Sequence, residues 1–370
     1  MKKNNSLKIV VIIISVVLLL GLGATGMYFY LTKVGTTTII NKSEKEVTVT
    51  DSGIADAVEK VIDSVVIVEV YQNNKLYGTG SGFIFERDND VYYVMTNNHV
   101  VTDADAVKIV LSNGNSIETT LIGSDQYLDI AVLSFKSNDD LSVASIGSST
   151  STRIGDTVFT VGAPIDSTTY SWSVTRGVLS GKDRMVSVST SNSSVADYIM
   201  KSLQTDATIN AGNSGGPLCN SNGEVIGITN MKLVSSSSTT VEGMSFAIPI
   251  EDALEYAQKL LKGEDVSRPS IGIKMAEISQ SNILYYYYDI KIPSNVEEGV
   301  VVVSTIKGSA AEKAGLESGD VITKVNDTNI TSMAELKYEL YKYNIGETVK
   351  LTVNRKGKTI TIDVTLEKSE

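Results

Sequence analysis

Apolar residues follow three different patterns along the chain, and each pattern predicts a different kind of structure. The first is an uncharged run at 9–32, which opens with IVVIIISVVLLL. A helix needs about 20 apolar residues to cross the hydrocarbon core of a bilayer, so this run predicts a transmembrane anchor. Lys2, Lys3 and Lys8 lie before it, which predicts a cytoplasmic N-terminus at 1–8 and an extracytoplasmic remainder.

Small residues within this run leave a cleaved signal peptide open as an alternative. Gly21, Gly23, Ala24 and Gly26 could supply its cleavage site. An uncleaved anchor is favoured, because apolar residues resume directly afterwards with MYFYL and make the segment longer than a typical signal core. The polar stretch at 33–53 is rich in Thr, Lys and Glu, and it predicts a linker between the anchor and the globular part.

The second pattern begins near residue 54 and consists of short β-rich runs between turn residues. It includes SVVIVEVYQ, VYYVMTN, LDIAVLSF and SFAIPI. Runs of this length and spacing predict a sandwich or barrel, so we expect a mainly β fold. The stretch at 250–263 changes to a period near 3.6 and ends in Lys-Gly, which predicts a helix that closes this domain.

The third pattern covers the last hundred residues, where strands return with two short helices between them. Arg268 and the proline after it form the expected linker. A capping box from Ser332 to Glu335 announces the second helix, and Leu336 and Leu340 lie on one face of it. This pattern predicts a small mixed α/β domain.

The charge balance and the scarcity of two residue types exclude several functions. The chain has 32 basic and 43 acidic residues, a net charge of −11, so nucleic acid is not an expected partner. One cysteine, Cys219, cannot form an internal disulfide. One cysteine and one histidine are also too few for a structural zinc site or a multi-histidine catalytic centre. We therefore expect neither a metal nor a cofactor.

The string GNSGG at 212–216 is the strongest chemical signal. Glycines on both sides of Ser214 allow a sharp turn that projects the hydroxyl into a cleft while nearby N–H groups converge. A serine nucleophile needs an imidazole base that a carboxylate orients. The chain offers His99 after the strand VYYV and Asp129 at the start of an apolar run. The order His, Asp, Ser matches the chymotrypsin-type arrangement.

The segments TNNHVV, LDIAVL and TDATINAGNSGGPL resemble the active-site motifs of the HtrA (Deg) family of trypsin-like and chymotrypsin-like serine proteases. GLESGDVI, at 315–322, resembles part of the PDZ domain that follows in this family. The resemblance implies a chymotrypsin-like double β-barrel protease domain at 54–265, with two six-stranded barrels. It also implies a small mixed α/β PDZ domain at 270–368.

The resemblance further implies a role for each residue of the site. Ser214 is the expected nucleophile, His99 the general base and then acid, and Asp129 the residue that orients His99. The backbone N–H groups of Gly212 and Ser214 are the expected oxyanion-hole donors, with Asn213 between them. The reaction would be peptide-bond hydrolysis through an acyl-enzyme.

The expected specificity pocket starts from Thr208, which lies six residues before the nucleophile and carries no charge. With Ile228 and Met231 beside it, this polar wall favours small aliphatic P1 side chains, as the resemblance also implies. A core position for Met231 stays open as an alternative.

In the PDZ domain, Ile271, Gly272 and Ile273 match the loop whose backbone N–H groups would hold a peptide C-terminus. Ser270 stands where the family often has an aromatic residue. Arg184, in a polar loop at 180–202, is the expected sensor that relays PDZ occupancy to the active site, and a solvated surface arginine is its alternative.

These expectations combine into one predicted function. The chain would be a membrane-anchored, extracytoplasmic serine endopeptidase that acts on misfolded or unfolded proteins in quality control and stress response. Its PDZ domain would bind peptide C-termini and regulate activity, and the resemblance implies a homotrimer. A non-proteolytic peptide-binding scaffold or holdase is the alternative from another class, and a transferase or esterase with the same triad also stays open. The tyrosines at 285–288 have no counterpart in the family pattern.

Overall fold

A computed structural model describes residues 4–33, 52–162, 172–188, 196, 198–210, 212–230, 243–264 and 266–369. The expected pocket residue Met231 and part of the expected polar loop at 180–202 lie outside these residues. The chain divides into two compact units, Met1–Thr50 and Asp51–Glu370.

The first unit contains one long helix, Asn4–Lys33. Within it, Lys8–Tyr28 has a mean hydropathy of 2.7 and is long and apolar enough to cross a membrane. A signal sequence near an N-terminus can also meet these criteria of length and hydropathy. The helix is therefore compatible with both interpretations of the apolar run.

The second unit opens with the helix Ser52–Val61, a 3-10 turn at Ile62–Ser64 and seven strands. The strands are β1 (Val65–Gln72), β2 (Lys75–Asp88), β3 (Val91–Thr96), β4 (Ala106–Val110), β5 (Ser116–Glu118), β6 (Thr120–Asp125) and β7 (Ile130–Lys136). They form one antiparallel sheet in the order β5-β4-β1-β2-β3-β7-β6. A four-residue helix, Asn98–Val101, lies between β3 and β4.

This sheet has seven strands where six were expected, and a bend at Thr119 explains the difference. β5 and β6 lie at opposite edges of the sheet, yet only Thr119 separates them in the chain. The backbone N–H and the hydroxyl of Thr119 both donate to the carbonyl of Val107, at 3.0 and 2.9 Å. One bent strand thus serves both edges, and the sheet curls until they meet.

A closed six-stranded barrel follows, as expected. Its strands are β8 (Thr157–Gly162), β9 (Ser173–Val188), β10 (Tyr198–Thr205), β11 (Pro217–Asn220), β12 (Val225–Thr229) and β13 (Ser245–Pro249). The largest apolar cluster joins the two barrels, because it includes Phe83 and Ile130 from the first and Phe159 and Ile248 from the second. The predicted closing helix runs from Ile250 to Leu261.

The C-terminal part is the expected small mixed α/β structure. Its strands are β14 (Pro269–Ser270), β15 (Ile273–Glu277), β16 (Val300–Thr305), β17 (Val321–Val325), β18 (Thr328–Asn329), β19 (Thr348–Arg355), β20 (Lys358–Thr365) and β21 (Glu367–Lys368). It has three described α-helices where two were expected, namely Ser281–Tyr288, Ala310–Ala314 and Met333–Leu340, and a 3-10 turn spans Ile278–Gln280. Among the described strands, β15 pairs with β16 alone and lies at an edge of the main sheet.

The structure shows where the predicted second helix and the four consecutive tyrosines of this domain lie. Ser332 caps the helix Met333–Leu340, since its hydroxyl accepts the N–H of Glu335 at 3.2 Å. Leu336 and Leu340 are buried in the domain's core cluster. The tyrosines at 285–288 lie on the helix Ser281–Tyr288, with exposed fractions from 46% to 81%.

Candidate active site

His99 and Asp129 lie together in the first barrel. His99 belongs to the short helix that follows β3, and Asp129 ends the turn between β6 and β7. The Nδ1 atom of His99 is 2.6 Å from Oδ2 of Asp129. The backbone N–H of His99 donates to Oδ1 of the same carboxylate at 2.8 Å. The histidine side chain is 26% exposed and the aspartate is fully buried, so only the imidazole is open to a substrate.

Two asparagines support Asp129, and neither was identified from the sequence. The side-chain amide of Asn230 donates to Oδ2 at 2.8 Å, and that of Asn97 donates to the Asp129 backbone carbonyl at 2.8 Å. A buried carboxylate is stable only with such donors. Asp129 also has a φ of +55°, a conformation that aspartate tolerates better than most residues. The only sequence signal for either asparagine is that Asn97 lies within the motif of His99.

Ser214 lies in the turn that precedes β11 in the second barrel, and this turn is tightly closed. Gly215 donates its N–H to the Thr229 carbonyl at 2.9 Å, and Gly216 donates to the Asn213 carbonyl at 2.9 Å. Gly212 and Gly215 have φ values of +100° and +86°. Glycine is the residue that adopts this conformation without strain, which explains the glycines of the motif.

Close packing at Gly80 and Gly215 brings the serine turn against the segment that carries His99. A Cβ atom on Gly80 would lie 2.6 Å from the Val100 side chain and 3.2 Å from the Ser214 carbonyl oxygen. A Cβ atom on Gly215 would clash with the Thr96 hydroxyl. The structure therefore brings together elements from both barrels, as the double-barrel expectation requires.

The expected oxyanion-hole residues differ in their backbone contacts. The N–H of Asn213 already donates to the Asn210 carbonyl at 3.0 Å, so it is directed away from a substrate oxygen. Gly212 and Ser214 are thus the two donors to consider. Asn213 is itself fully buried beneath the turn.

The expected pocket residues lie in different environments. Thr208 is exposed, and its carbonyl accepts the Thr175 hydroxyl at 2.7 Å. Ile228, in contrast, is fully buried in the largest core cluster. Its expected place on the pocket surface is therefore corrected to a place in the core behind it.

Some backbone groups of the expected peptide-binding loop already have hydrogen-bond partners within the PDZ domain. Ile271 is buried in the domain core, and its carbonyl accepts the N–H of Ala311 at 2.8 Å. The N–H of Gly272 donates to the Ser270 hydroxyl at 3.1 Å, so this donor already has a partner. Ile273 begins the edge strand β15, whose outer edge is where an added strand would pair.

Arg184 lies within β9, paired opposite Ser202, and not in a loop as expected. Paired strands occupy both ends of the predicted loop, since β9 runs to Val188 and β10 starts at Tyr198. The Nε atom of Arg184 donates to the Gln204 side chain on β10 at 2.9 Å. The helix Met333–Leu340 of the PDZ domain also packs against β10.

A second contact between the domains was missed at the sequence level. Arg268 donates to Oδ2 of Asp125 at 2.8 Å, and its guanidinium lies over the rings of Tyr127 and Tyr341, at 5.3 and 4.8 Å. The other oxygen of Asp125 accepts the N–H groups of Tyr127 and Leu128, both at 2.7 Å. The contact thus connects the PDZ domain to the turn that ends at Asp129. Its members are far apart in the sequence, so no local pattern predicts it.

Other reactive groups of the described residues offer no rival site. Burial raises the pKa of the Cys219 thiol, which keeps it protonated and unreactive. Within the described ranges, no group of three or more His, Cys, Asp or Glu residues is arranged to hold a metal ion.

Comparisons with known proteins agree with this geometry. Residues 80–228 match the model of the trypsin-like peptidase domain, and residues 269–366 match the model of the PDZ domain. The chain is 38% identical over 345 residues to the serine protease Do-like HtrA of Lactococcus lactis, covering 86% of this chain and 84% of the relative. It is 36% identical to a probable periplasmic DegP-like serine endoprotease of Hahella chejuensis, covering 77% and 56%.

Solved structures show the same likeness. The serine endoprotease from Yersinia pestis superposes with a TM-score of 0.62 at 30% identity, covering 86% of this chain and 98% of that one. The mostly β fold with a protease domain and a PDZ domain is therefore confirmed.

Proposed function

The chain belongs to the HtrA family of trypsin-like serine proteases and is a serine endopeptidase, and we propose that it degrades unfolded or misfolded proteins outside the cytoplasm. The observation that carries the proposal is the contact of His99 with a buried Asp129 on one barrel, opposite the serine turn of the other.

In the proposed reaction, His99 Nε2 takes the proton of the Ser214 hydroxyl while Ser214 Oγ attacks the substrate carbonyl. The resulting oxyanion accepts hydrogen bonds from the N–H groups of Gly212 and Ser214. The imidazolium then donates its proton to the leaving amine as the C–N bond breaks. Water hydrolyses the acyl-enzyme by the same route. Asp129 accepts the hydrogen bond of His99 Nδ1–H throughout the reaction. This keeps the proton on Nδ1 and leaves Nε2 available as the base.

Two observations support a location outside the cytoplasm. The N-terminal helix has the length and hydropathy of a membrane span, and three lysines precede its apolar core in the sequence. A relative that shares 36% identity is named as periplasmic. We propose a single-pass anchor with the N-terminus in the cytoplasm and both folded domains outside. A homotrimer is proposed on the family resemblance.

The PDZ domain is proposed to bind peptides along β15 and to regulate the protease. Its helix packs on β10, and Arg268 connects it to the turn before Asp129. A ligand that shifts the PDZ domain would therefore act on two elements of the protease domain at once.

The test is cleavage of unfolded casein by the full chain in detergent micelles, with and without apolar C-terminal peptides. Cleavage that is lost in Ser214→Ala, and that peptides stimulate, would support the proposal. In Arg268→Ala, stimulation should fall while peptide binding persists. Arg153→Ala is the matched control, since Arg153 is 84% exposed and pairs only with the nearby Asp156 among the described contacts. Cleavage that survives in Ser214→Ala would reject the mechanism.

Topology needs a separate assay on intact cells. External protease should digest the folded domains, while an epitope placed at residue 1 should stay protected until the cells are opened. Protection of the folded domains would reject the proposed orientation.

A further inference from the structure

Ser81, on β2 of the first barrel, contacts the nucleophile turn of the second barrel in two places. Its backbone N–H donates to the Ser214 carbonyl at 2.9 Å. Its hydroxyl donates to the Gly212 carbonyl at 2.6 Å. The residue is fully buried, so water does not compete for these bonds. One side chain and its own backbone thus hold the carbonyls on both sides of Asn213.

The directions of these carbonyls matter because peptide groups are planar. The expected oxyanion donors are the N–H groups of Gly212 and Ser214, and the plane that joins Gly212 to Asn213 lies between them. Rotation of that plane would change the angle between the two donors. Gly212 has a φ of +100° and no side chain to limit rotation, so hydrogen bonds must fix the plane. At one end of this plane, the Gly212 carbonyl accepts the Ser81 hydroxyl; at the other end, the Asn213 N–H donates to the Asn210 carbonyl.

The plane that carries the Ser214 N–H is fixed from the second barrel instead. Its carbonyl, that of Asn213, accepts the Thr229 hydroxyl at 2.5 Å and the Gly216 N–H at 2.9 Å. The peptide plane between the two donors and the plane that carries the Ser214 N–H are therefore held from different barrels. This arrangement would keep the oxyanion hole formed only while the barrels are correctly packed.

We propose that Ser81 is a positioning residue for catalysis, whose hydroxyl fixes the peptide plane between Gly212 and Asn213, which links the two peptide groups that carry the oxyanion donors. The inference rests on the proposed role of Ser214 as nucleophile. Ser81 does not touch the substrate. Its contribution is to hold the donors ready before the charge develops, which is when preorganised dipoles are most effective.

The test compares Ser81→Ala with the unmodified full chain on a short chromogenic peptide. Loss of one complete oxyanion donor lowers kcat by about 10²–10³, so a misdirected donor should lower it by about tenfold. KM should stay unchanged, because ground-state binding does not use the hole. Affinity for a peptidyl boronate, whose tetrahedral adduct places an oxygen in the hole, should fall by about the same factor, while affinity for a product-like peptide should not.

Ser64→Ala is the matched control. Ser64 is also fully buried, and its hydroxyl donates to the Val61 carbonyl at 2.6 Å, but it lies in the 3-10 turn before β1. Ser64→Ala removes the same kind of hydrogen bond as Ser81→Ala, so it should lower the thermal midpoint without changing kcat. If both variants lost kcat equally, or if Ser81→Ala kept full kcat and boronate affinity, the positioning role would be rejected.

Two further variants distinguish a folding defect, and a failure of the proposed mechanism, from a failure of the Ser81 proposal. Should Ser81→Ala not fold, Ser81→Cys keeps a side chain of similar shape and replaces the hydroxyl with a weaker thiol donor. It should also lower kcat without raising KM, and an unchanged kcat would overturn the proposal in that case. Full activity in Ser214→Ala would reject the proposed mechanism itself, which is distinguishable from a result in which only the Ser81 variant behaves normally.

Discussion

Replacement of Asp129 by asparagine tests the central contact of the site, because the structure predicts which way the new amide must face. Oδ1 accepts the backbone N–H of His99, and Oδ2 accepts both His99 Nδ1 and the amide of Asn230. The backbone donor cannot change its nature, so the asparagine oxygen must occupy the Oδ1 position. Its NH₂ group then faces His99 Nδ1. Asn230 can adapt by turning its own amide around.

The consequence for the imidazole is a change of tautomer. With an NH₂ group opposite, Nδ1 must become an acceptor, which places the proton on Nε2. Nε2 can then no longer take the proton of Ser214. The same change in a Ser-His-Asp enzyme costs about 10⁴ in kcat. That factor corresponds to about 5.5 kcal/mol of activation free energy. Binding and the oxyanion hole are untouched, so KM should change little.

The assay is steady-state cleavage of a chromogenic peptide, run beside labelling of Ser214 with a fluorophosphonate. Both rates should fall together, with a thermal midpoint close to that of the unmodified chain. Asp140→Asn is the control, since it makes the same charge change on a side chain that is 93% exposed and pairs with Arg87. An Asp129→Asn variant that kept kcat within about tenfold of normal would refute the tautomer argument.

Three further outcomes are expected. Gly215→Ala should abolish activity or folding, because its Cβ would clash with the Ser81 carbonyl and its φ is +86°; normal kcat would contradict this. Cys219 should react with a thiol reagent only after unfolding, since burial raises its pKa, and mass spectrometry checks this. Burial raises the pKa of Glu251, but hydrogen bonds from Ser149 and its neighbours lower it by more. Because its pKa is lowered, the Glu251 carboxylate should contribute to stability at neutral pH, and this contribution should be lost as pH falls from about 4.3 through the folded-state pKa. Glu251→Gln should therefore lower the thermal midpoint at pH 7, and should lower it less as pH falls below about 4.3.

Local sequence signals predicted most elements of the fold. The alternating runs correspond to β1, β3, β7 and β13, and the helical period at 250–263 corresponds to Ile250–Leu261. These signals succeed because alternation and the helical period reflect which face of an element is buried. Part of β9 was assigned to a polar loop, because Ser173–Val188 carries polar residues on both faces and lacks that contrast.

The candidate site divides in the same way. The motifs predicted His99, Asp129 and Ser214 because a lone imidazole, an isolated carboxylate and a glycine-rich turn each stand out locally. Ile228 was assigned to the pocket surface and lies in the core. Its sequence neighbourhood could not distinguish these places, since a strand that lines a pocket and a strand that lies behind one are equally apolar.

By itself, the sequence determined the membrane-type helix, the β-rich class, the order of the reactive residues and the glycines that let the turn form. All of these depend on composition or on neighbours a few positions apart. Only the tertiary structure decided which groups hold the reactive residues in place. Asn230 reaches Asp129 across 101 positions, Ser81 reaches Gly212 across 131, and Arg268 reaches Asp125 across 143. Such pairs form because barrel closure and domain packing bring buried polar groups to their partners, and no short stretch of sequence carries that information.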